Sequence, residues 1–260
     1  MEHSKIRIRL DDIYSKYNRR ELVDPDPLMF LYNYDAKIDK EIIGLVASSL
    51  AYGRVAQILK SVKKVTTILG PSPSEYLLKV DRTTLQKELK DFKHRFTNGE
   101  EMAAFLWAIK NLIKTFGSIE DCFMAGYTAS NKDMLKAIRS FTDKIRNFYD
   151  TNNSLMPDAN KSSACKRLNL FLKWMVRRDD VDPGCWTKLK ASELIIPLDT
   201  HMFRFGTCAG FTKRKNADML AATEITNGFK KIHPSDPTKY DFAITRFGIR
   251  SDMCWKDLGI

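Results

Sequence analysis

Apolar positions along the chain recur at helical spacing, and alternation of the kind that marks a half-buried strand is missing. In Lys37–Tyr52 the residues Ile42, Ile43, Val46, Ala47 and Leu50 form one stripe. Arg54–Leu69 follows with Val55, Ile58, Leu59, Val62 and Leu69, and Gly70-Pro71 stops it. Glu100–Phe116 carries Phe105, Leu106, Ile109, Leu112, Ile113 and Phe116 before Gly117, and Lys132–Tyr149 carries Leu135, Ile138, Phe141, Ile145 and Phe148. The one short run with strand character, Leu194-Ile195-Ile196, ends at Pro197. The pattern predicts an all-α protein.

Between the fourth of these helices and the next lies Thr151–Ser163, polar and without a period, which is a loop or a linker. Cys165–Arg177 then shows Leu168, Leu170, Phe171, Leu172, Trp174, Met175 and Val176, so a helix here is apolar on nearly every side and belongs in a core. Its first turn nevertheless holds Lys166 and Arg167. Further on, Asp199 precedes the amphipathic run of Met202, Phe203 and Phe205 and is placed as a helix N-cap.

Composition narrows the choice of partner. The 260 residues hold 43 Lys and Arg against 32 Asp and Glu, a net charge of +11 that favours a polyanion. No apolar run reaches the ~20 residues of a bilayer span, so no membrane association is expected, and the expected compartment is the cytoplasm, or the nucleoid in a bacterium. The cysteines, Cys122, Cys165, Cys185, Cys208 and Cys254, stand no closer than 20 positions apart, and the four histidines are scattered. That spacing offers neither a zinc nor an iron–sulfur ligand set, and no metal or other cofactor is expected.

Two segments carry candidate chemistry. Lys161-Ser162-Ser163-Ala164-Cys165-Lys166-Arg167 leads into the apolar helix, where Ser162 and Ser163 are placed as caps and the free amides suit an anion. Within 160–190 there are eight basic and three acidic residues. A lysine beside a helix N-terminus and other cations, partly buried, loses preference for its ammonium form and becomes a better nucleophile. The alternative is that Lys166 only touches phosphate or solvent. The second segment is Pro197-Leu198-Asp199-Thr200-His201-Met202-Phe203-Arg204, where Asp199 is either a structural cap alone or a rigidly held functional carboxylate. Arg204, Lys213, Arg214 and Lys215 follow as an acid-free cluster suited to phosphates.

Together these segments resemble the helix-hairpin-helix DNA glycosylase superfamily, the group of endonuclease III and 8-oxoguanine glycosylase. That family carries a (V/L)-D-T-H-(V/I/M)-x-R segment with an essential Asp, which Asp199 matches, and its bifunctional members place a Schiff-base lysine after the hairpin, which Lys166 matches. Asp26-Pro27-Leu28, the helix Ile42–Tyr52 and Gly53–Gln57 are similar to the family's early helix pair. The likeness spans most of the chain and is specific over about 197–205. The separation of Lys166 from Asp199 is most similar to the archaeal 8-oxoguanine glycosylase branch. The family's glycine-rich hairpin is replaced here by Asn160–Lys166, which has no glycine, and its four-cysteine iron–sulfur loop is absent. Segments 166–177, 197–201 and 239–249 also resemble blocks of a bacterial family related to these glycosylases.

The resemblance implies a two-lobed fold with its active site in a cleft, one lobe formed by 37–185 and the other by 1–36 with 197–260. It implies a monomer that acts on double-stranded DNA carrying a damaged base, 8-oxoguanine by analogy. Lys166 would attack C1′ and Asp199 would stabilise the developing charge. Tyr52, Arg54, Gln57, Trp174, Asp241 and Phe242 are the candidates for the base pocket. Lys161, Ser162, Ser163, Arg167, His201, Arg204, Lys213, Arg214 and Lys215 are the candidates for strand contacts. Two other readings stay open: a nucleic-acid-binding protein that has lost catalysis, and an RNA-acting enzyme on the same scaffold.

Overall fold

The computed structural model describes residues 3–148, 154–161 and 163–249. Two compact units divide the chain, one of residues 24–160 and one of residues 1–23 together with 161–260. The first helix of the terminal unit is α1 (His3–Tyr17), after which the chain enters the middle unit.

The middle unit contains α2 (Lys37–Ser49), α3 (Val55–Leu69), α4 (Pro73–Lys79) and α5 (Arg82–Glu88). A tight hairpin follows, β1 (Lys93–His94) antiparallel to β2 (Thr97–Asn98), with Lys93 opposite Asn98 and His94 opposite Thr97. The unit closes with α6 (Gly99–Phe116), α7 (Ile119–Ala129) and α8 (Met134–Arg146). Ile42, Ile43, Val46 and Leu50 are buried with Phe105, Leu106, Ile109 and Leu112 of α6 and with Ile138 and Phe141 of α8, so the predicted stripes are the core. Asn98 starts α6 with a reciprocal capping box: its side chain accepts from the Glu101 amide at 2.9 Å and Glu101 accepts from the Asn98 amide at 2.9 Å. Gly99 is demanded by close approach, since a Cβ there would sit 1.9 Å from the Leu89 carbonyl oxygen. Buried Glu41 accepts from the amides of Ile119 and Glu120 at 3.0 and 3.2 Å, holding the start of α7.

The terminal unit resumes with α9 (Lys166–Val176), α10 (Thr200–Cys208), α11 (Met219–Ile232) and α12 (Asp241–Ile249). α1 packs on α11 and α12, and α10 packs on both as well. Phe205 stacks on Phe229 at 5.6 Å, and Phe211 meets Phe229 edge-on at 5.2 Å.

Among the described residues the protein is thus all-α apart from the hairpin at 93–98, which the hydrophobic pattern does not reveal. Leu194-Ile195-Ile196 is buried but pairs with no strand; the Ile196 amide donates to Thr226 Oγ1 at 3.0 Å instead. The boundary also differs from the expected lobes: 24–36 belongs with the middle unit, and α9 belongs with the terminal unit rather than with 37–185. α2 ends at Ser49, three residues before the expected Tyr52, because the chain turns at Leu50. Among the described residues, no helix is long and apolar enough to cross a membrane.

Candidate active site

Lys166 is the first residue of α9 and is half-buried. Cys165 before it caps the helix in the left-handed conformation (φ 47°), a strained choice for a residue with a Cβ. Ser163 Oγ accepts from the Cys165 amide at 3.2 Å, and Asn169 Nδ2 donates to the Ala164 carbonyl at 3.0 Å, so the approach to the helix is pinned from both sides. Ser163 therefore supports the turn before α9 instead of capping its first amides; Ser162 lies outside the described residues. The backbone of Ser163 also bridges Asp218. Asp218 in turn caps α11 through the Ala221 amide at 2.8 Å and takes Arg214 in a two-pronged pair at 3.1 and 2.8 Å.

Among the described residues the Lys166 side chain has no hydrogen bond or ion pair, unlike Lys173 in the same helix and Arg177 at its C-cap. Lys173, two turns on, is 1% exposed and lies 3.0 Å from Asp241 and 3.4 Å from Asp182. Arg177 follows one turn later and is bound to Asp182, to Asp179 at 2.8 Å and to Asp236 at 2.8 Å. Asp179 also accepts from Tyr14 at 2.9 Å and from Asn18 at 3.1 Å, which ties α1 into the network. Burial pulls the Lys173 ammonium toward its neutral form, but Asp182 and Asp241 outweigh that and hold its pKa above the ordinary lysine value. Burial raises the pKa of Asp182 and Asp241 from the ordinary carboxylate value, only partly offset by Lys173. Four carboxylates share two cations here, so the excess of negative charge acts in the same direction.

Asp199 is the N-cap of α10, and its Oδ1 accepts from the Met202 amide at 2.7 Å. It is half-buried, and its charge is near enough to Asp241 to contribute to that group's raised pKa. Lys166 and Lys173 are seven residues apart, hence on one face of α9 and about 10 Å apart along its axis. The face that begins with Lys166 thus carries, two turns on, the Lys173 ammonium that meets Asp241, and the Asp199 charge acts on Asp241. All of these groups belong to one unit, whereas the sequence placed Lys166 in the lobe opposite Asp199.

The remaining candidates separate by burial. Trp174, Asp241 and Phe242 are core residues: Trp174 is 2% exposed, Asp241 is engaged by Lys173, and the Phe242 ring lies 4.2 Å from the Arg246 guanidinium. None of the three is displayed to a base, since their apolar surface and their charge are already satisfied inside the unit. His201 packs against the backbone of α12, where a Cβ on Gly248 would lie 2.1 Å from its Nδ1. Lys161, Arg204, Lys213 and Lys215 are exposed, Arg167 is half-buried, and Arg214 is committed to Asp218. Lys213, Arg214, Lys215, Asn216 and Glu224 line an open depression.

Tyr52, Arg54 and Gln57 belong to the middle unit, where Arg54 and Gln57 are exposed and Tyr52 is half-buried. Tyr52 OH donates to the His94 carbonyl at 3.1 Å and shares a 2.6 Å hydrogen bond with Thr97 Oγ1, which fastens it to the hairpin. Sequence reasoning missed the hairpin and the Lys173–Arg177 network. The second was signalled by a lysine at the centre of an apolar helix, which requires a buried carboxylate partner. Among the described residues no cluster of three His, Cys, Asp or Glu is placed to hold a metal ion.

Helix packed on helix, with a cation-bearing helix threaded into a carboxylate cluster, makes this an all-α protein with a buried ionic core. The chain belongs to the family described as "Protein of unknown function (DUF2400)", whose model matches residues 26–250. No curated protein and no solved structure matches it.

Proposed function

We propose that this protein is a DNA glycosylase with AP lyase activity, in which Lys166 is the nucleophile and Asp199 the electrostatic partner. The observation that carries the reading is the contrast along α9 and its C-cap: Lys173 and Arg177 are locked to carboxylates, while among the described residues the half-buried Lys166 amine is not. An amine left available at the head of a buried helix suits attack on carbon better than structural pairing. Asp199, held by the Met202 amide, is a carboxylate of fixed direction at the border of the same region.

In this mechanism the neutral Lys166 amine attacks C1′ of the damaged nucleotide while the C1′–N bond breaks and its electron pair leaves with the base, which takes up a proton. The amine's own proton passes to Asp199, whose negative charge first stabilises the oxocarbenium character of the transition state. The C1′–O4′ bond then breaks as the nitrogen electron pair forms the C1′=N Schiff base and O4′ takes the proton held by Asp199; a C2′ proton passes to water, and its electron pair forms the C2′–C3′ double bond as the C3′–O bond breaks and the 3′ phosphate leaves with those electrons. Exposed Lys161, Arg204, Lys213 and Lys215 supply strand contacts, and the net charge of +11 supports a polyanionic substrate.

Borohydride trapping on a panel of duplexes with single damaged bases, 8-oxoguanine among them, tests this. A trapped complex is expected with wild type and none with Lys166→Gln, while both bind DNA. A protein that binds duplex but traps on no lesion is catalytically silent, and one that prefers structured RNA acts elsewhere; either result overturns the proposal.

A further inference from the structure

The hairpin at 93–98 exposes a large aromatic ring on a rigid support. Phe96, at the tip, is 65% exposed, yet it is stacked on Tyr52 at 5.1 Å with 24° between the planes. The support beneath is built from buried polar bonds. His94 is fully buried, with Nδ1 2.9 Å from Ser61 Oγ of α3 and Nε2 3.1 Å from the Tyr52 carbonyl oxygen, and its ring meets Tyr52 edge-on at 4.5 Å. Thr97 Oγ1 bonds both Tyr52 OH and Ser154 Oγ, the latter at 3.1 Å.

A cation stands against the ring pair. Arg95 takes a left-handed backbone (φ 55°), and its guanidinium lies 6.0 Å from the Tyr52 ring centre. Its side chain crosses Gly53 so closely that a Cβ there would fall 2.8 Å from Arg95 Cδ. Across 51–69 and 92–98, the segments that form the ring pair's support and α3, the cations are Arg54, Lys60, Lys63, Lys64, Lys93 and Arg95, and the acids bordering the hairpin are Asp91, Glu100 and Glu101. A protein partner with an apolar pocket would not require that bias. A stacked aromatic pair amid cations is the combination that binds bases by their π-faces and strands by their phosphates.

We infer that the Phe96–Tyr52 platform is a second DNA-contacting element, which stacks on a base or fills the gap at an unstacked step while Arg95, Lys93 and Arg54 hold the flanking phosphates. This rests on DNA being the partner and is independent of the chemistry assigned to Lys166.

The test measures binding of the full chain to three probes by anisotropy: an intact duplex, the same duplex with one tetrahydrofuran abasic analogue, and the abasic duplex with 2-aminopurine beside the gap. Phe96→Ala is expected to weaken abasic-duplex binding about tenfold, to affect the intact duplex less than the abasic one, and to abolish quenching of 2-aminopurine. Phe96→Trp is expected to retain both. Arg95→Ala should lower the slope of log affinity against log salt by about one. Because Phe96 is at the surface, a circular dichroism melt matching wild type establishes that the alanine variant is folded. If Phe96→Ala leaves the abasic preference and the quenching intact while wild type still binds DNA with a salt-dependent affinity, this inference fails and the glycosylase reading stands. A self-association that depends on Phe96, or a preference for single-stranded RNA over the abasic duplex, also overturns it. Wild type with no salt-dependent DNA affinity removes both readings, and loss of borohydride trapping alone removes only the one assigned to Lys166.

Discussion

Replacing Lys173 with Met removes an ammonium that touches both Asp182, at 3.4 Å, and Asp241, at 3.0 Å. Methionine keeps the length and flexibility of the stem, so little of the effect comes from packing. Asp182 retains Arg177, but Asp241 loses its cation while still facing the charges of Asp199 and Asp182. Removing one partner of a buried pair costs about 3–5 kcal/mol, a large share of the ~5–15 kcal/mol that holds a domain together. The sign of the pH dependence follows from the raised pKa values of Asp182 and Asp241. A carboxylate whose folded pKa lies above its unfolded value favours the folded state below the unfolded pKa. That contribution is lost as the pH rises toward the folded value, at about 1.4 kcal/mol per pH unit and group. In the variant the folded pKa of Asp241 rises further, so the window of loss extends toward neutrality. Urea unfolding followed by far-ultraviolet circular dichroism at pH 5, 6 and 7 reads this directly. Lys173→Met is expected to lose about 3–5 kcal/mol at pH 7 and clearly less at pH 5. Adding Asp241→Asn should recover part of the loss at pH 7. A loss below about 1 kcal/mol at pH 7, or equal losses at both pH values, would refute the account of a charged, desolvated cluster.

Three further outcomes are expected. Asp199→Asn keeps a side-chain acceptor for the Met202 amide, so its urea midpoint should stay near wild type while single-turnover base release falls at least about a hundredfold; equal loss of both would make Asp199 a cap only. Lys213→Ala should lower the salt slope of DNA binding by about one, whereas Arg214→Ala should leave it nearly unchanged because that guanidinium is taken up by Asp218; equal slopes for the two would contradict the division. Burial raises Asp179, but Arg177 and the amides of Asp182 and Val181 more than offset it and leave its pKa low, so its stabilisation exists above the ordinary carboxylate range and fades as the pH falls through it. The gap in thermal midpoint between wild type and Asp179→Asn should therefore close in acid, and a gap that widens would reverse the sign.

The helices were legible because each long stripe has one buried face; α3 and α6 begin within one residue of the positions that spacing predicts. The hairpin was not, since strands of two residues have no period to detect. Trp174, Asp241 and Phe242 show where residue type misleads: all three have chemistry suited to a base, and burial decides against them. The unit to which α9 belongs was hidden for a related reason. A helix apolar on all sides fits any core, and what assigns it is the need of Lys173 and Arg177 for carboxylates at 179, 182, 236 and 241, all later in the chain. Asp199 as a cap was legible from its place before an amphipathic run, and the action of its charge on Asp241 was not, because 42 positions separate the two.

The interrupted terminal unit has a consequence for how the protein is made. Asp11 of α1 accepts from Lys239 and Tyr240, the first of them 228 residues away, and Tyr14 donates to Asp179. On a ribosome adding about 5–20 residues per second, α1 therefore waits roughly 10–50 s for these partners. The middle unit has all of its own residues far earlier and is free to fold while α1 still has no core to join. During that interval Ile6, Leu10 and Ile13, buried in the finished protein, form an apolar stripe on a nascent segment beside a cationic face. This is the kind of surface that ribosome-associated chaperones hold, and it makes vectorial synthesis, rather than refolding from denaturant, the demanding route to the native state.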